Sequence, residues 1–132
     1  MIYILLLLCA VTSCIQSKAE VVREYKARIT FYSSDKKWGN RVADTKIRYA
    51  KESITIAAHP DFAFGTKIYI PQLKNKFDDG VFIVQDRGSA VTKKKASRGK
   101  CYVFDIYVST HSKLRLNART NPQYMQVYVE KP

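Results

Sequence analysis

Tyr102-Val-Phe-Asp-Ile-Tyr-Val108 is the most apolar of the strand-like stretches in this chain, and it carries a carboxylate at its centre. β-Branched and aromatic side chains dominate it, as they do in strands. Alternation puts Val103, Asp105 and Tyr107 on one face and Phe104 and Ile106 on the other. An ionisable group in such a strand is either partnered or desolvated. Desolvation would raise its pKa and keep it protonated, fit to act as a general acid. The plainer alternative is a structural aspartate that accepts backbone N–H bonds.

Upstream, Gly80-Val-Phe-Ile-Val-Gln85 reads as a strand after the turn-like Asp78-Asp79-Gly80. Thr66-Lys-Ile-Tyr-Ile-Pro71 is a third, introduced by Gly65 and stopped by Pro71. Ser53-Ile-Thr-Ile-Ala-Ala58 is a fourth. Residues 26–32 alternate Ala27, Ile29 and Phe31 against Lys26, Arg28 and Thr30, the pattern of a half-buried strand. Downstream, Tyr124-Met-Gln-Val-Tyr-Val-Glu130 closes the series. A short helix is expected at His111–Ala118, capped by Ser109 or Thr110. Six short strands with little helix predict an all-β barrel or sandwich. Residues 33–52 are polar and weakly patterned and read as a long loop.

The chain has 132 residues, of which 23 are Lys or Arg and 11 Asp or Glu, for a formal net charge of +12. A hydrophobic fraction of 46% excludes wholesale disorder, and the length suits one domain. The first charged residue is Lys18, and Ile2–Val11 is an apolar run too short to span a bilayer. It reads as the core of a secretory signal, so residues 1–19 are set aside and the domain is 20–132. Val11-Thr-Ser-Cys14 resembles a bacterial lipobox, in which Cys14 becomes the lipidated N-terminus and membrane anchor. Ser17-Lys18-Ala19 is the competing, ordinary cleavage site. Export directs the positive charge towards anionic wall polymers or lipid head groups rather than nucleic acid. Lys93-Lys-Lys-Ala-Ser-Arg98-Gly-Lys100 is the densest basic run, either a solvated loop or a handle for an anionic polymer.

Cys101 is the one cysteine left in the mature chain and reads as a small buried hydrophobe. With His59 and His111 it offers no paired metal-ligand spacing, so neither metal nor cofactor is expected. Asp86, at the end of the Gly80–Gln85 strand, is either a turn aspartate or a second carboxylate facing Asp105, in which case the two pKa values separate. His59, just past a strand in Ala57-Ala58-His59-Pro60, is more commonly structural than catalytic. Tyr32, Trp38 and Tyr49 lie in or near the long polar region. They could stack on sugar faces, although half-buried aromatics are the commoner outcome.

In order along the chain, these segments resemble the double-psi β-barrel proteins that act on peptidoglycan. Ile56-Ala-Ala-His-Pro60 followed by Phe64-Gly-Thr-Lys-Ile-Tyr-Ile-Pro71 looks like the stretch entering the Gly-Thr strand of the family. Val84-Gln-Asp-Arg-Gly-Ser-Ala90 resembles the second-aspartate motif, and Phe104-Asp-Ile-Tyr107 the third. The nearest patterns are the 3D domain of membrane-bound lytic transglycosylases, named for three aspartates, and rare lipoprotein A. The likeness spans about residues 26–131. It implies a six-stranded double-psi β-barrel with one or two short helices, monomeric and located in the cell envelope. It further implies a lytic transglycosylase that cuts glycan strands between N-acetylmuramic acid and N-acetylglucosamine. Asp105 would be the acid and base, Asp86 its charged partner, and Arg87, Gly88, Tyr32 and Trp38 substrate-binding residues. His59 stands where the first aspartate is expected, as in rare lipoprotein A, which implies a mixed site. A non-catalytic, expansin-like binder of the wall, or a purely structural envelope lipoprotein, are the alternatives from other classes.

Overall fold

A computed structural model describes residues 22–34 and 39–130. The expected leader, Cys14 and Trp38 lie outside the described residues. Six strands form a closed barrel: β1 (Val22–Ser33), β2 (Thr55–Ala57), β3 (Lys67–Tyr69), β4 (Val81–Asp86), β5 (Val103–Val108) and β6 (Tyr124–Glu130). Around the barrel the order is β1-β5-β2-β4-β3-β6, and the β1–β6 pairing completes the circle. Of the barrel and the sandwich that the strand pattern allows, the all-β barrel is present. β1–β5 and β2–β4 pair in parallel, and the other four pairings are antiparallel.

β1 is long because it serves two partners. Val22–Arg28 pairs with β6 and Arg28–Ser33 with β5. Its alternation sorts the two faces. Ala27 and Ile29 point into the core with Ile56, Ile68, Phe82, Val84, Phe104, Ile106, Met125 and Val127, all essentially inaccessible. Thr30 and Tyr32 have the opposite parity and face outward. Burying Phe82 and Phe104 at the barrel axis contributes about 2–3 kcal/mol each. Among the described residues, no buried side-chain nitrogen or oxygen lacks a hydrogen-bond partner.

Two helices lie outside the barrel. α1 (Ser89–Thr92) follows β4, and its Val91 packs on Ala57 and Val103, with Tyr32 at the edge of the same small cluster. α2 (His111–Thr120) starts where Thr110 accepts the Lys113 N–H, so Thr110 is the cap of the two candidates. The helix runs slightly past the expected Ala118 and ends at Asn121. None of the described helices is long and apolar enough to cross a membrane. β1 takes in Ser33, and residues 39–52 of the polar stretch before β2 form a loop as expected, with an isolated bridge between Arg41 and Tyr49. Cys101 departs from expectation: it is half-buried, because it sits in the turn that leads into β5 rather than in the core.

Candidate active site

Four residues line up across four adjacent strands. Thr30 of β1 pairs with Asp105 of β5, Asp105 with Ala57 of β2, and Ala57 with Asp86 of β4. A register irregularity makes the last pairing. Thr55 and Ile56 oppose Ile83 and Val84, but Ala57 opposes Asp86, so Gln85 is the extra residue of a bulge. Without it, alternation from Phe82 and Val84 would turn Asp86 into the core. With it, Asp86 joins the outward row that carries Asp105. Two contacts, the first of them buried, hold the bulge. The Thr55 hydroxyl donates to Gln85 Oε1 at 2.6 Å, and the Gln85 carbonyl accepts the Asp44 N–H at 2.9 Å.

The two carboxylates sit in different surroundings. Asp105 is half-buried and, among the described residues, accepts one side-chain bond, from the Thr30 hydroxyl to Oδ1 at 2.8 Å. Its pKa is pushed up from the ordinary 3.8 to about 6. Burial is the main cause, the Thr30 bond opposes it, and the charge of Asp86 adds to it. Asp86 takes three donors. Tyr32 Oη reaches Oδ2 at 2.8 Å, and the Ala43 and Arg87 N–H groups reach Oδ1 at 2.9 Å each. Two interstrand steps separate the Cα atoms of the aspartates by about 10 Å, too far for the carboxyls to be bonded in one plane of the sheet yet close enough for charge to be felt. Ala57 lies between them, buried beneath Val91 of α1.

Tyr32 and Tyr107 wall the site. Their rings meet edge to face at 5.6 Å, and Tyr107 Oη is bonded to Ser34 Oγ at 2.7 Å. Burial, and then the neighbouring Asp86, hold the Tyr32 phenol well above its usual range, so it remains a donor. Tyr32 is thus brought to the carboxylates through its hydroxyl, as partner of Asp86.

The other expected site residues are placed differently. Arg87 turns its guanidinium to the β2–β3 loop, donating to the carbonyls of Ala58 at 3.1 Å, His59 at 3.4 Å and Phe62 at 2.7 Å, and it stacks over Phe64 at 4.2 Å. It clamps that loop against the end of β4. His59 Nδ1 accepts the Asp61 N–H at 3.0 Å and its ring leans on Tyr102 at 5.5 Å. Among the described residues no hydrogen bond joins its side chain to Asp86 or Asp105; the link is its carbonyl, through Arg87. Gly88 precedes α1 with an extended backbone, and a Cβ there would meet nothing within 4 Å. Among the described residues no group of three or more His, Cys, Asp or Glu could hold a metal ion.

Thr30, Ala57 and the Ala43 N–H belong to the site and are not among the candidates that the sequence singles out. Alternation on β1 placed Thr30 away from the core, but its pairing with β5, more than seventy residues on, has no local signal. No protein-family model matches the chain, and no curated protein matches it in sequence.

Proposed function

We propose that the barrel is a peptidoglycan lytic transglycosylase of the double-psi type, with Asp105 as its acid and base. One observation carries this reading: two outward carboxylates share one row across the barrel, one desolvated and one held by three donors. Such a pair separates acid from charged partner, as glycan cleavage requires. The two parallel pairings, the interleaved strand order and the order of the aspartate motifs support it.

In this mechanism protonated Asp105 gives its proton to the oxygen between N-acetylmuramic acid C1 and N-acetylglucosamine. The C1–O bond breaks and positive charge develops on the muramic ring. Asp86, fixed by Tyr32 and two backbone N–H groups, stabilises that charge without reorganising. Asp105, now a carboxylate, takes the proton of the muramic 6-hydroxyl as O6 closes on C1. The product is a 1,6-anhydro end, and Asp105 is protonated again. No water enters the reaction, so one carboxyl serves where a hydrolase uses two. On the same reading the chain is exported and held at the envelope, through Cys14 if the lipobox is used, and the basic residues favour an anionic wall.

Digestion of purified sacculi in oxygen-18 water tests the chemistry. The expected products end in anhydro-muramic acid and carry no solvent oxygen. Labelled reducing ends would mean hydrolysis and defeat the proposal. Retained binding without any released product would move the assignment to an expansin-like binder.

A further inference from the structure

A concavity lies at one open end of the barrel, apart from the outer row that carries the aspartates. On β1, Arg23 and Tyr25 share the parity of core residues Ala27 and Ile29, and Tyr102 shares that of Phe104. They line a cavity of about 570 Å³ together with Asp61, Phe62 and Glu130. The volume lies within the roughly 300–1,000 Å³ of small-ligand sites, and barrel mouths are a common place for them.

Its aromatic wall is preorganised. Tyr25 meets Phe62 and Tyr102 with ring planes 89° apart in both cases, and Phe62 meets Tyr102 at 70°. The Tyr102 hydroxyl donates to Asp61 Oδ2 at 2.5 Å, and Lys94 Nζ lies 4.5 Å from the centre of the Tyr102 ring. Arg23, Asp61 and Glu130 supply both donors and acceptors, and together they leave one net negative charge. That sets the site apart from the rest of a chain of net charge +12. A polyanion gains little there, and a wholly apolar ligand would strand three charged groups. A sugar ring matches both parts: its C–H face suits the aromatic wall, and its hydroxyls can donate to carboxylates and accept from a guanidinium.

We propose that the barrel mouth is a second, non-catalytic saccharide site that takes one or two sugar rings. The proposal does not rest on the outer row being catalytic. On the transglycosylase reading it would hold a further stretch of glycan and raise avidity.

The test uses the full-length chain with Asp105→Asn, so that nothing is turned over. The probe is the N-acetylglucosamine tetramer, followed by the ring resonances of Tyr25 and Tyr102 in NMR spectra. The expected result is a saturable shift of both rings at millimolar saccharide or below. Arg23→Ala combined with Glu130→Gln should weaken it at least tenfold without changing the melting temperature. Asp61→Asn, at an exposed position, is the second variant should that pair unfold the chain, and the same loss is expected. Binding that leaves both rings unmoved, no binding, or affinity indifferent to these substitutions would overturn the proposal. So would tetramethylammonium moving the rings at lower concentration than the saccharide, which would make the mouth a cation site. Sacculus cleavage by the unsubstituted chain is read separately, so each reading can fail alone.

Discussion

Burial holds the Asp105 carboxyl at about 6, against 3.8 for an ordinary aspartate, and this difference ties stability to pH. Between those values the folded chain binds more protons than the unfolded one. Stability therefore falls as pH rises from about 4 to 6, by up to about 3 kcal/mol, and stays lower above that. Asp105→Asn removes the charge and keeps an oxygen for the Thr30 hydroxyl. It should raise the melting temperature at pH 7.5 and leave it little changed at pH 4, a comparison that thermal unfolding at the two pH values makes directly. On the proposed mechanism the same residue sets the pH profile of cleavage. With Asp105 as the acid, the rate should level off below about pH 6 and fall about tenfold per pH unit above it. Thr30→Val removes a bond that favours the charged form, so the fall should move to higher pH. Tyr32→Phe leaves Asp86 with two backbone donors; urea unfolding should show a loss of about 1–2 kcal/mol.

Strands were legible in the sequence because alternation is a local signal, and β6 matches its expected span at both ends. The bulge that turns Asp86 outward was not, because Gln85 becomes an extra residue only against β2, some thirty positions earlier. α1 is a single turn, too short for a helical period to show. Asp105 was legible as a misfit in an apolar strand; Thr30, its partner, was visible only as an outward residue. Two glycines separate fold from site at this scale. Gly80 has φ +75°, and a Cβ there would lie 2.9 Å from the Ile70 carbonyl oxygen, so Gly80→Ala should destabilise the turn into β4 by about 1–3 kcal/mol in urea unfolding. Gly88→Ala meets open space with an ordinary extended backbone and should leave stability unchanged. If substrate passes over that turn, the same variant should lower the cleavage rate, and steady-state kinetics on sacculi would show it.

The whole molecule is strongly basic, and Lys93, Lys95, Arg98 and Lys100 stand exposed on the rigid turn between α1 and β5. Buried Ser97 fixes that turn, its hydroxyl bonded to the Lys94 and Cys101 carbonyls at 3.1 and 2.6 Å. Binding to an anionic wall should therefore weaken steeply between low and physiological salt, whereas chemistry at the carboxylate row should depend on salt only through binding. Charge alone would predict attachment to sacculi without release of product. The most direct measurement compares the unsubstituted chain with Asp105→Asn on purified sacculi, with bound protein and soluble muropeptides quantified in the same samples. The account predicts equal binding, anhydro-muramic products from the unsubstituted chain, and a loss of at least about a hundredfold in the variant. Equal release of product by both chains would contradict it.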